Sequence, residues 1–148
     1  MCGKPPKISK FPENMPLEIT TDTARLDVAF IHHFLTQSYW AKGRSRETVE
    51  TCIRHSLNFG VFLDGKPIGY ARVVTDYAVF AYLMDLFIIE EHRGKGYSKM
   101  LLESILQHEA LKSIPTWRLA TSDAHGLYQK FGFGPLQAPQ KMMERKHP

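Results

Sequence analysis

The residues best placed to do chemistry lie between Asp85 and Leu102, in the stretch DLFIIEEHRGKGYSKMLL. An apolar run, Leu86-Phe87-Ile88-Ile89, passes into Glu90-Glu91-His92 and tightens at Arg93-Gly94-Lys95-Gly96. From Tyr97 the apolar residues return at helical spacing. A strand, a glycine-rich turn and a helix in that order build an anion site. Helix N-termini leave backbone N–H groups without partners, and the macrodipole puts partial positive charge there. Gly94 and Gly96 let successive N–H groups converge on a phosphate, and Arg93 and Lys95 add full charges. The Walker spacing is absent, and the dinucleotide fingerprint needs glycine where Lys99 stands. What fits is R-x-x-G-x-[G/A], carried by Arg93 and Gly96 with Ser98 in the last place.

Asp85 interrupts the apolar sequence Leu83-Met84-Asp85-Leu86-Phe87, where an unpaired charge is costly. It reads either as a base or anchor for a cationic substrate, or as a buried carboxylate satisfied by Arg72 or a backbone donor. Glu90, Glu91 and His125 are weaker proton-transfer candidates. Ser38 to Arg44 is a loop carrying Tyr39, Trp40 and Arg44. Aromatics beside a cation suit a substrate-lining loop, and equally suit a loop stapled to the core. With Asp76 they form the expected substrate pocket. His32 and His33 lack a third ligand at metal spacing, and Cys2 and Cys52 form no zinc pattern, so no metal is expected.

The elements that must position these groups fit one domain spanning all 148 residues. A hydrophobic content of 43% and a charged content of 23% are those of a globular protein. The net charge of +4 suits an anionic ligand, but no basic block interleaves with aromatics, so nucleic acid is not an expected partner. No apolar run reaches the ~20 residues a membrane helix needs. The N-terminus lacks a signal core, and the chain reads as cytoplasmic. Residues 1–16 carry four prolines and read as a loose arm. A short strand follows near Leu17, then a helix to about Leu35 and a second capped by Ser45. Asp64-Gly65 marks a hairpin. A strand from Phe80 delivers the chain to the glycine turn and its helix. A strand at Trp117, a helix capped by Asp123 and ended by Gly132, and strands from Phe133 and over 141–145 complete the chain. The order β-α-α-β-β-β-α-β-α-β-β predicts an α+β fold, a mixed, mostly antiparallel sheet with helices on both faces.

That order, with a glycine turn after the fourth strand, resembles the GNAT (Gcn5-related N-acetyltransferase) superfamily. Leu127-Tyr128-Gln129-Lys130-Phe131-Gly132-Phe133 is similar to the family's L-Y-x-K-x-G-F segment. The two motifs span about Asp85 to Phe133, and the element order extends the likeness over most of the chain. The resemblance implies acetyl-CoA as cosubstrate, with its pyrophosphate on Arg93, Gly94, Lys95, Gly96, Tyr97 and Ser98. It implies that the backbone of Phe87 and Ile88 pairs with the pantetheine arm and supplies an oxyanion donor. It implies Tyr128 as the acid that protonates the leaving thiolate. Two positions depart from the pattern: Ser98 replaces Gly/Ala, and Thr121 stands where many members carry an Asn that contacts the pantetheine arm.

The chemistry so implied is acetyl transfer to a primary amine by direct attack in a ternary complex. An alkylamine titrating near ~10 is only about 0.1% neutral at pH 7, so a base or water chain would help. A neutral tyrosine, pKa about 10, can protonate a thiolate of pKa about 8.5 in a dry site. Cys52 falls on the wrong element to be a nucleophile. A degenerate acyl-CoA-binding sensor or scaffold is the competing reading. The acceptor is a small-molecule or peptide amine, and an exposed last strand could pair across a homodimer.

Overall fold

The computed structural model describes residues 16–148. Most of the expected N-terminal arm, with Pro5, Pro6 and Pro12, lies outside the described residues. The elements run β1 (Leu17–Thr20), α1 (Val28–Gln37), α2 (Arg46–Arg54), β2 (Leu57–Leu63), β3 (Lys66–Thr75), β4 (Phe80–Ile88), α3 (Tyr97–Leu106), β5 (Thr116–Arg118) and α4 (His125–Gln129). One sheet holds the strands in sequence order. The first four are antiparallel neighbours, and β5 joins β4 in parallel. The mixed, mostly antiparallel α+β architecture is the one expected.

Local sequence explains the elements. Asp27 caps α1 by accepting the Phe30 N–H at 3.0 Å, and Ser45 caps α2 through Thr48 N–H at 3.1 Å. Asp64 and Gly65 turn the β2–β3 hairpin with φ of +50° and +77°, the paired left-handed conformation that fits the twist of the strands. The inner faces of the sheet are sorted by alternation. Phe59, Val61, Ala71, Val73 and Leu83 pack with Leu101, Leu102 and Ile105 of α3. Tyr70 and Phe87 pack on the opposite face with Ile31 and Leu35 of α1 and Val49 and Ile53 of α2. Helices therefore cover both faces.

Three expectations are corrected. The first helix is split: a 3-10 turn over Thr23–Arg25 precedes α1, whose buried residues are Ile31 and Leu35. Asp123 does not cap α4; Ala124 holds that place, and Thr121 Oγ1 accepts the Ala124 N–H at 3.0 Å. Neither strand expected after Gly132 forms. Pro139–Lys141 is a 3-10 turn, and nothing beyond it is regular. Such strands would have to build on the outer edge of β5, which is three residues long. Pro135 and Pro139 also remove ladder donors.

The feature that matters most for a site is a β-bulge. Arg72 of β3 faces Met84, and Tyr70 faces Phe87, so Ala71 alone opposes the pair Asp85 and Leu86. Asp85 takes φ +57°, a left-handed conformation that glycine, asparagine and aspartate adopt more readily than other residues. Beyond Tyr82↔Arg118 the parallel pairing of β4 with β5 ends, and the two strands part on the bulged side.

Candidate active site

Where β4 and β5 part, a cleft of about 440 Å³ opens. One wall is β4 from Tyr82 to Ile88, the other is Leu119 to Ala124 with Leu127 and Tyr128 of α4. Phe34 of α1 and Tyr39, Trp40 and Arg44 of the α1–α2 loop line one end, and Arg93 and Ser98 line the other.

The β4 wall has a free backbone edge. Ile89 donates its N–H to Ile68 O at 2.9 Å, toward β3. Alternation along a strand then turns the N–H and C=O of Ile88 to the opposite edge. That carbonyl accepts Arg93 Nε at 2.9 Å, which ties the start of the glycine turn to the end of the strand. Gly69 lets this edge sit close to β3: a Cβ there would meet Ile88 Cδ1 at 2.5 Å and the Phe87 carbonyl at 2.6 Å.

In the turn, Gly94 and Gly96 take φ of +76° and +84°, and Gly96 is the N-cap of α3. A Cβ at either would meet nothing within 4 Å. The backbone thus requires glycine while the space over the turn stays open, as a phosphate cradle demands. Lys95 is exposed, and Tyr97 and Ser98 in the first turn of α3 are half-buried. Gly94, Lys95, Gly96 and Tyr97 form the turn beside the cleft rather than its lining.

Asp85 is buried and its side chain is 1% exposed. Its Oδ2 accepts from Arg72 Nε at 2.6 Å and from Arg44 Nη1 at 2.8 Å, and its Oδ1 accepts from Trp40 Nε1 at 2.9 Å. Of the alternatives open for Asp85, the geometry matches the satisfied carboxylate, and its three donors come from β3 and the α1–α2 loop. The burial is tolerable because the charge is paired and hydrogen-bonded. Arg44 and Trp40, expected in the acceptor pocket, are in the cleft and are held there by this carboxylate. Tyr39 is there too: its hydroxyl accepts the Ser122 N–H at 3.1 Å and donates to Asp123 Oδ1 at 3.3 Å, bridging the cleft mouth.

Asp76 is not in the cleft. Its Oδ1 accepts the N–H groups of Ala78, Val79 and Phe80 at 2.8, 2.9 and 3.1 Å, so it closes the β3–β4 turn. An aspartate at a strand end forms such local bonds with the turn that follows readily, and that signal outranks a pocket role. Cys52 is half-buried on α2 and outside the cleft, and His125 lines a neighbouring cavity along β5 instead. Among the described residues no group of three or more His, Cys, Asp or Glu could hold a metal, and no helix is long and apolar enough to cross a membrane.

Tyr128 is 8% exposed, and its ring meets Phe133 edge-on at 5.9 Å. Burial, reinforced by Tyr39 and Asp123 nearby, pushes its phenol up to about 12. Thr121 lines the cleft, but its Oγ1 is occupied by the Ala124 N–H. Sequence reading missed Asp123 as a cleft residue, because an Asp ahead of a helix reads first as a cap. The sequence reading also did not single out Phe34, which stacks on Phe87 with centroids 3.8 Å apart and lines the cleft.

Comparison with known proteins agrees with this geometry. Residues 25–133 match the model of the acetyltransferase (GNAT) family. A Xanthomonas campestris crystal structure, of a protein assigned to the same family, superposes with a TM-score of 0.86 at 48% identity, covering 90% of this chain and 96% of that one. A Gibberella zeae protein named for acetyltransferase activity is 28% identical over 135 residues, 76% of this chain and 75% of its own. The ribosomal-protein-S18-alanine N-acetyltransferase of Escherichia coli shares the fold, with a TM-score of 0.65 at 20% identity over 82% of this chain and 79% of that one. The family match covers the bulged strand, the glycine turn and the Leu127–Phe133 segment alike, so the chain belongs to the GNAT acetyltransferase family and is an acyltransferase.

Proposed function

We propose that this protein transfers the acetyl group of acetyl-CoA to a primary amine, by direct attack in a ternary complex. The observation that carries the reading is the single cleft that brings together the free edge of β4, the mouth of the glycine turn and Tyr128. The pyrophosphate sits on the N–H groups of the Arg93–Ser98 turn, with the Arg93 and Lys95 charges beside it. The pantetheine arm lies along Phe87 and Ile88 as an added strand, and Thr121 faces it from the other wall.

The outward N–H of Ile88 is the oxyanion donor for the thioester carbonyl. The amine nitrogen forms the new bond to the carbonyl carbon, and the carbon–sulfur bond breaks. Tyr128 gives its proton to the departing sulfur; burial keeps that proton in place until then. The proton released by the amine leaves through the mouth, where Asp123 and the Tyr39 hydroxyl are the polar groups. Asp85 is a positioning residue rather than the base, because its oxygens are already occupied by Trp40, Arg44 and Arg72.

Calorimetric titration with acetyl-CoA tests the reading, with Gly96→Glu as control. The variant puts a side chain and a negative charge at a φ of +84° in the phosphate cradle. One-site binding by the wild type and its loss in a folded variant are expected. A folded wild type that does not bind acetyl-CoA overturns the proposal.

A further inference from the structure

The acceptor end of the cleft carries a cation, Arg44, that the acetyl-transfer reading does not use. Two guanidiniums converge on one carboxylate oxygen of Asp85. Arg72 is buried, is absent from the cleft lining and also donates from Nη1 to Ser56 Oγ at 3.2 Å. It neutralises Asp85 without help from Arg44. Arg44 is therefore a second cation on a carboxylate that is already paired. Its side chain is 18% exposed, and that exposure is in the cleft. Only Nη1 is engaged, so among the described residues the other donors of the guanidinium fork have no protein partner. Two guanidiniums on one carboxylate leave the cluster with a net positive charge, and the open donors of Arg44 face the cleft, where a planar fork fits a carboxylate in particular.

The opposite rim has the complementary sign. Asp123 is an exposed carboxylate on the cleft wall, held toward the mouth by the Tyr39 hydroxyl and close enough to Tyr128 to raise its phenol. The same cleft has an aromatic lining: Trp40 lies 6.1 Å from Phe34 and 5.1 Å from Tyr39, centroid to centroid.

Resting on the acetyl-transfer reading, we infer that the acceptor is a small zwitterionic amine of the amino-acid type: its carboxylate is held by Arg44, its ammonium is turned toward Asp123 and Tyr128, and its apolar body lies on Phe34 and Trp40. The pattern disfavours polycations, which would place a second ammonium against Arg44.

The test uses wild type, Arg44→Gln and Arg44→Lys, with thiol release from acetyl-CoA as the assay. Acceptors are L-phenylalanine and L-leucine, their methyl esters, phenethylamine and spermidine. In the wild type, kcat/KM for the free acids should exceed that for the esters and for phenethylamine by at least about tenfold. Arg44→Gln should bring that ratio near one, chiefly through KM, while acetyl-CoA still binds. Arg44→Lys should recover part of the preference, since it keeps the charge and loses the fork. Esters or spermidine used as well as the acids, or a ratio that Arg44→Gln leaves unchanged, would overturn the inference. Acetyl-CoA binding with no turnover of either acid also overturns it and leaves the cofactor reading standing. Failure to bind acetyl-CoA overturns both.

Discussion

At the scale of single residues, Tyr128 and Asp85 are both buried and polar, but their surroundings differ. The Tyr128 hydroxyl has no hydrogen-bond partner among the described residues, whereas the Asp85 carboxylate has three donors. Tyr128→Phe removes one oxygen and keeps the contact with Phe133, so the fold should survive while kcat falls by about a hundredfold. An ordinary phenol would lose its proton near 10.0, but here that loss is displaced toward 12. The wild-type rate should therefore show no descending limb from this group at 10, as a pH–rate profile would reveal. A variant with undiminished kcat would remove Tyr128 from the acid role. Asp85→Asn is a cleaner probe of the ion-pair cluster than alanine, because asparagine tolerates the +57° φ. It strands two guanidiniums, one of them buried, and should cost about 3–5 kcal/mol in denaturant unfolding. A loss under about 1 kcal/mol would mean that the arginines find other partners.

At the scale of elements, turns and caps were legible where one residue type has one job. Asp64-Gly65 and Ser45 announce themselves by chemistry that is local. The bulge did not: a one-residue offset between β3 and β4 leaves no mark in the apolar pattern except Asp85, and Asp85 admitted two readings. Asp76 was misplaced because a pocket role was preferred to the local turn bonds that an aspartate at a strand end forms. Those bonds, to Ala78, Val79 and Phe80, hold its carboxyl below the usual 3.8. Because the folded value is the lower one, the support it gives the β3–β4 turn is complete above 3.8. It is lost as pH falls through that lower value. The amide resonances of Ala78, Val79 and Phe80 should titrate together with a midpoint under 3.8. A midpoint at or above 3.8 would mean that the three bonds do not persist in solution.

At the scale of the molecule, the sheet, its covering helices and the glycine turn could be read from periodicity and glycine placement. These are properties that neighbouring residues share. The cleft could be read only in part, since it is assembled from the α1–α2 loop, β4 and α4, which are far apart in sequence. Tyr39 and Asp123 meet across 84 positions. The two strands expected at the end failed for a related reason: a strand needs a partner edge, and no pattern within 133–145 could show that β5 offers only three residues.

The bulge also sets what small changes in chain length can do. A substitution at Asp85 or Leu86 alters one side chain, but deleting either one restores one-to-one pairing of β4 with β3. Such a strand could continue alongside β5 instead of parting from it. The sheet would gain regular hydrogen bonds, and the cleft with its outward Ile88 N–H would close. Regularity of the sheet and possession of a site are thus alternatives separated by a single codon, and the chain carries the less regular one.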